Sequence, residues 1–153
     1  MPTPNTYSFT KSDFATMLQH IVDLIPEWMF LYDPAEDLVV YHNQKTGLLF
    51  KENSPPVAPV SLHHLLEETL VPEDWPVLER NALELMALKE RDIHEVRFRV
   101  RTGDVPPGYR WCCFRQKLFW QDEGSGVKLI LCITTEVKGE DYSLYFADGI
   151  QYS

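Results

Sequence analysis

The last third of the chain alternates. From Glu95 to Arg101, Val96, Phe98 and Val100 point one way, while Glu95, Arg97, Arg99 and Arg101 point the other. A period of two marks a half-buried strand. The strand that begins at Ile93 is broken by Gly103-Asp104 and Pro106-Pro107-Gly108, and a second runs from Tyr109 to Trp120. Glu123-Gly124-Ser125-Gly126 then turns the chain into a third, Val127 to Glu136. In that third strand Val127, Leu129, Leu131 and Ile133 share one face, and Ile130 and Cys132 share the other. Both faces are apolar near the middle, so both need a cover.

Upstream the period changes to that of a helix. Phe14, Met17, Leu18, Ile21, Val22 and Ile25 form one continuous apolar stripe. Ser12 is placed to cap that helix and Pro26 to end it, which predicts a helix over 12–25. Trp28 to Tyr32 and Leu38 to Tyr41 read as two strands of a hairpin, joined by the turn Asp33-Pro34-Ala35-Glu36-Asp37. Asn43 to Phe50 reads as a short helical turn interrupted at Gly47, followed by an irregular proline-rich loop. Ser61 caps a helix over Leu62 to Thr69 with Leu62, Leu65 and Leu66 inside. Pro76 suits the first turn of a longer helix, whose expected buried stripe is Leu78, Ala82, Leu85 and Met86. Segregated helices with a five-stranded antiparallel sheet make an α+β domain over 12–137, between a flexible leader at 1–11 and an extension at 138–153.

Composition narrows the role. A chain of 153 residues is long enough for a single filled core. Its net charge of −9 argues against direct nucleic-acid binding, which needs a basic surface. The amino-terminal residues lack the basic and apolar regions of a secretory signal, and no apolar run approaches the roughly 20 residues of a membrane helix, so a cytoplasmic protein without membrane attachment is expected. Cys112, Cys113 and Cys132 all fall in strands. Strand neighbours point apart, so the first two cannot grip one metal or form an ordinary disulfide, and all three read as small buried hydrophobes, with a cross-strand pair involving Cys132 as the alternative. His63 with Glu67, or His64 with Glu68, has the i, i+4 spacing that could reach a metal, but no third ligand accompanies either pair. No phosphate-cradling, dinucleotide or nucleophile-elbow motif occurs. The face holding Arg97, Arg99 and Arg101 reads as a solvated strand face, with a docking surface for an acidic partner as the alternative.

The element order, with four local motifs, resembles the PAS domain family over about residues 15 to 137. The first motif is the opening hairpin, Met29-Phe-Leu-Tyr-Asp33 to Leu38-Val-Val-Tyr-His-Asn43, where the family often shows an Asp at the turn and an Asn just after the second strand. The second is Val71-Pro-Glu-Asp-Trp75 before the long helix, similar to the family's "hPeD" step. The third is Glu95-Val-Arg-Phe-Arg-Val-Arg101, then Gly103-Asp104 and Tyr109-Arg-Trp111, similar to the E-x-R-x-R and Y-R-W signature of the PAS fold-3-like subgroup. The fourth is Ile133-Thr-Thr-Glu-Val137, where the family often has Asp-Ile-Thr. This chain departs from the pattern in its reversed and lengthened Gly-Asp turn and in Thr135-Glu136.

The resemblance implies a regulatory, non-catalytic module for signal sensing or protein interaction, able to serve as the sensor of a longer signalling or transcription regulator. It implies a small-molecule ligand between sheet and helices, or dimerisation without one. Phe30, Tyr32, Val40, Leu78, Leu85, Phe98, Trp111 and Cys132 are the candidate pocket lining; the alternative is that they fill the core. A homodimer would use the amino-terminal helix and the sheet, through Phe14, Leu18, Ile21, Val22 and Ile130; the alternative is that the helix covers its own sheet. Covalent flavin attachment is disfavoured because each cysteine is in a strand, and haem because residues 76–91 hold no histidine; the cofactor, if any, stays open. The competing class is a cone-shaped enzyme of the ketosteroid-isomerase type, which would need a buried acid or base; none is expected on the inward face of the last three strands.

Overall fold

The computed structural model describes residues 16–17, 19–21, 24–43, 58–101 and 108–137. The strands are β1 (Met29–Asp33), β2 (Leu38–His42), β3 (Val60–Ser61), β4 (Ile93–Arg101), β5 (Tyr109–Gln121) and β6 (Lys128–Glu136). The helices between β3 and β4 are α1 (Leu62–Leu66) and α2 (Trp75–Met86), with a 3-10 turn at Pro72–Asp74. The architecture is α+β, with one antiparallel sheet in the order β3-β2-β1-β6-β5-β4. The sixth strand, absent from the sequence reading, is the two-residue β3 beside β2. Its shortness hides any periodicity.

Pairing across the sheet sorts the side chains. Directly opposite residues share a face. Phe30 lies opposite Cys132, Cys132 opposite Gln116, and Phe114 opposite both Thr134 and Val96. These residues face α1 and α2. At the centre the Phe114 ring meets Phe30 and Phe98 edge to face, with centroids 5.1 and 4.6 Å apart. All three rings are fully buried. Such burial stabilises the fold by about 2–3 kcal/mol per side chain, and the rings occupy the middle of the inner face. The second face carries Met29 opposite Ile133 and Leu31 opposite Leu131. Met29 and Leu31 of β1 are buried there, whereas Leu129, Leu131 and Ile133 of β6 are half-buried and Val127, just before it, is exposed, so the cover expected over that strand's second face is partial among the described residues.

Three expected placements are corrected by this register. β1 and β2 slip between Leu31 and Tyr32, so that Tyr41 opposes Leu31 and Val39 opposes Tyr32. Val40 is the extra residue of the bulge and is exposed, while Val39 takes the core position. Trp111 lies opposite Arg99 on the second face, because Cys112 and Phe114 hold the inward positions of β5. Ile130 lies opposite Tyr32 and Leu118 on the inner face with no exposure, so it offers no surface to a second chain.

The helices follow their local signals with one exception. Ser61 caps α1, its Oγ accepting from the His64 amide at 3.2 Å, and the helical residues end at Leu66 rather than Thr69. Pro76 sits in the first turn of α2. The buried positions of α2 are Leu78, Asn81 and Leu85, and Met86 is exposed. The inner stripe thus runs through Asn81, which pairs with Gln116 of the sheet beneath, and leaves Ala82 half-buried. Of the amino-terminal helix, Thr16, Met17 and Gln19 to Ile21 are helical, and the Leu24 amide closes a turn on the Ile21 carbonyl. Phe14, Leu18 and Val22 lie outside the described residues, as do the expected turn after Asn43, residues 1–11 and 138–153.

Candidate functional site

One carboxylate draws three elements together. The β1–β2 turn places Asp37 in the left-handed region, at φ 54°, which aspartate tolerates better than most residues. Its Oδ1 accepts from the Tyr32 hydroxyl at 2.7 Å. Its Oδ2 accepts from Ser61 Oγ at 2.7 Å and from the His63 amide at 3.2 Å. The Asp37 carbonyl accepts from the Leu62 amide at 3.2 Å. The first turn of α1 leaves such amides without intrahelical partners, and an acidic group there satisfies them. Burial, reinforced by the bond to Asp37, pushes the Tyr32 hydroxyl well above its ordinary range, so it stays a neutral donor.

Around this junction an open groove of about 390 Å³ runs between the hairpin, α1 and α2. Tyr32, Leu62, Leu66 and Leu78 form apolar walls, and Asp37 and Glu79 supply the carboxylates. The His63 ring stacks on Trp75 with centroids 4.0 Å apart, joining α1 to the start of α2 along one side. The volume falls in the range of small-molecule sites.

Two polar anchors set where α2 lies over the sheet. Asp74, just before α2, accepts from the Arg99 backbone amide at 2.7 Å and from its Nε at 3.0 Å, both on Oδ2, and from its Nη2 at 2.6 Å on Oδ1. This fork raises the affinity of the Arg99 guanidinium for its proton. Further along, Asn81 and Gln116 are paired through both amides.

The structure brings only part of the expected lining to the groove. Tyr32 and Leu78 line it; Phe30, Leu85, Phe98 and Cys132 are core residues, and Val40 and Trp111 lie elsewhere. Asp37, His63 and Trp75 were missed as site residues. Asp37 had a visible signal in its turn, but that Asp37 rather than Asp33 reaches α1 depends on the fold; Asp33 instead accepts from the Ala35 and Glu36 amides within the turn.

The inward face is less free of ionisable groups than its sequence suggests. His94 lies opposite Gln116, and Glu136 opposite Cys112. His94 Nε2 is 2.9 Å from Glu84, at the end of the face and away from the groove. Burial pushes the Cys112 thiol up to about 12 and Cys113 to about 11, and holds Cys132 well above the ordinary thiol range. All three are free and protonated at neutral pH. Among the described residues no group of three or more side chains is arranged to hold a metal ion. Nor, among them, is any helix long and apolar enough to cross a membrane.

No protein-family model matches the chain, and no curated protein matches it. Solved structures do share its fold. The N-terminal domain of a diguanylate cyclase with PAS/PAC sensor from Marinobacter aquaeolei superposes with a TM-score of 0.51 at 13% identity, over 72% of this chain and 94% of that one. A histidine-kinase domain from Haloarcula marismortui, assigned to light and redox sensing, superposes with a TM-score of 0.52 at 12% identity, over 80% of this chain and 99% of that one. At such identities the likeness is one of fold: the chain has a PAS-like fold.

Proposed function

We propose that this chain is a regulatory, non-catalytic sensing domain of PAS type, which takes a small, largely apolar molecule in the groove between α1, α2 and the β1–β2 hairpin. The observation that carries this reading is the convergence on Asp37: hairpin, β3 and α1 all bond to one carboxylate at the groove's wall. A ligand against Tyr32 would bear on that junction and on β1. The other side of β1 presents Met29 and Leu31, so occupancy would be passed to whatever covers the second face, in an effector domain or a regulatory partner. Three free, buried thiols suit a reducing cytoplasm.

The test is native mass spectrometry of the purified protein, followed by an NMR screen of small apolar fragments. Ala82→Trp, at the half-buried rim of the groove, serves as the filled variant. Retained or added molecules should shift amides of Tyr32, Leu62 and Leu78, and the variant should lose at least about tenfold in affinity. Fragments that bind equally to the filled variant, or no binding at all, would overturn the ligand reading.

A second reading, a ligand-free homodimerisation module, is favoured by the Phe30, Phe98 and Phe114 rings that fill the centre of the inner face. Tyr41, on the second face, donates to Gln19 of the amino-terminal helical segment at 3.0 Å, and Ile21 of that segment is 53% exposed. Under this reading light scattering gives a dimer that Ile21→Glu dissociates; a dimer unchanged by the substitution counts against it.

A further inference from the structure

The second face of β4 and β5 gathers positive charge on an acidic molecule. The register sets Arg97, Arg99 and Arg101 opposite Cys113, Trp111 and Tyr109, and sets Arg115 and Lys117 opposite Glu95 and Ile93. Opposed residues share a face, so five basic side chains lie on one side of two paired strands, in a chain of net charge −9. Two carboxylates answer them. Glu95 is 3.0 Å from Arg97 and 3.3 Å from Arg115, and Asp74 holds Arg99 from the sheet's edge. Arg101 and Lys117, at the two ends of the ladder, are exposed and have no ion pair among the described residues.

We infer that this face binds an extended acidic segment of a partner protein, with Asp or Glu at alternate positions. The warrant is spacing as well as sign. Side chains on one face of a strand recur about every 7 Å, and so do alternate residues of an extended peptide. From the Arg101 end to the Lys117 end the ladder spans about 27 Å, the length of about eight extended residues. Arg99 is held in place beforehand, its guanidinium carbon 5.4 Å from the Tyr109 ring centre and 5.6 Å from that of Trp111. A side chain ordered in advance loses less entropy on binding. The face is too short and too interrupted by Glu95 to track a continuous phosphate backbone, and the molecule's overall negative charge repels a polyanion. This surface is separate from the groove, so its failure and that of the ligand reading are independent.

The experiment uses the full chain and fluorescence anisotropy. The probes are a labelled peptide of about ten residues alternating Glu and Thr, its Lys-Thr counterpart, and a single-stranded oligothymidine of matched charge. The Glu-Thr peptide should bind, weaken with added salt, and lose at least about tenfold in affinity to the double variant Arg101→Glu, Lys117→Glu. The double variant Arg80→Glu, Lys89→Glu makes the same charge change among the helices and should bind as the parent does. An absence of binding, or an equal loss in both double variants, would overturn the inference. So would oligothymidine binding as tight as the peptide's that depends on Arg101 and Lys117, which would reassign the face to nucleic acid.

Discussion

Asn81 and Gln116 exchange two hydrogen bonds in the core: Asn81 Nδ2 donates to Gln116 Oε1 at 3.0 Å, and Gln116 Nε2 donates to Asn81 Oδ1 at 2.8 Å. Both residues are almost wholly buried. The Cys132 thiol adds a weak bond to the same Oε1 at 3.8 Å. The pair fixes the rotation of α2 against β5, because a buried amide tolerates few other positions.

Asn81→Leu leaves the Gln116 amide buried without its partner, and is expected to destabilise the fold by about 1–3 kcal/mol. Replacing both residues by Leu should restore most of that loss, since no polar group is then stranded. Urea denaturation of the two single variants and the double completes the cycle. A double variant as unstable as the sum of the singles would show that the pair does not act as a unit.

Asp74 and Arg99 tie the start of α2 to the edge strand β4. Asp74→Ala removes the acceptor of three donors and leaves a partly shielded guanidinium, and should destabilise by about 2–4 kcal/mol. Arg99→Lys should be costly as well, because an ammonium lacks the planar fork that meets both carboxylate oxygens. Thermal unfolding in low and high salt checks both. A shift in midpoint no larger than that of Arg115→Ala, which removes only an exposed ion pair, would count against the latch.

The thiols predict a loss of stability in mild alkali. Cys112 and Cys113 are pushed by burial up to about 12 and about 11, against an ordinary value of 9.0. Above about pH 9 the unfolded chain releases these protons while the native chain keeps them, so the unfolded state binds fewer protons and stability falls as pH rises. Full stability is expected below that point, with progressive loss between 9 and 12, and Tyr32 adds in the same direction above its ordinary 10.0. Denaturant midpoints measured from neutral pH to about 10.5 should decline, and less steeply for Cys112→Val. A midpoint flat across that range would contradict the burial described for these thiols.

The three meander strands were legible at nearly their observed bounds, and so were the hairpin, the Ser61 cap and the helix opened by Pro76. Each rests on signals within a few residues: a burial period, a turn, a cap. Met86 was misread because a helix stripe is judged by hydrophobicity, and nothing near Asn81 announces that an amide waits opposite it. Trp111 was misread because β5 carries apolar side chains on both faces, so alternation alone does not say which face turns inward.

By itself the sequence determined the period of each element, the turns and caps that bound them, and so the α+β class of the domain. Those depend on local backbone bonding and on which side chains leave water. Only the tertiary structure decided which strands pair, where the bulge at Val40 falls, and that Asp37 rather than Asp33 gathers the hairpin, β3 and α1. These depend on partners distant in the chain, where hydrogen bonds are satisfied and faces are buried only once the whole sheet has closed under its helices.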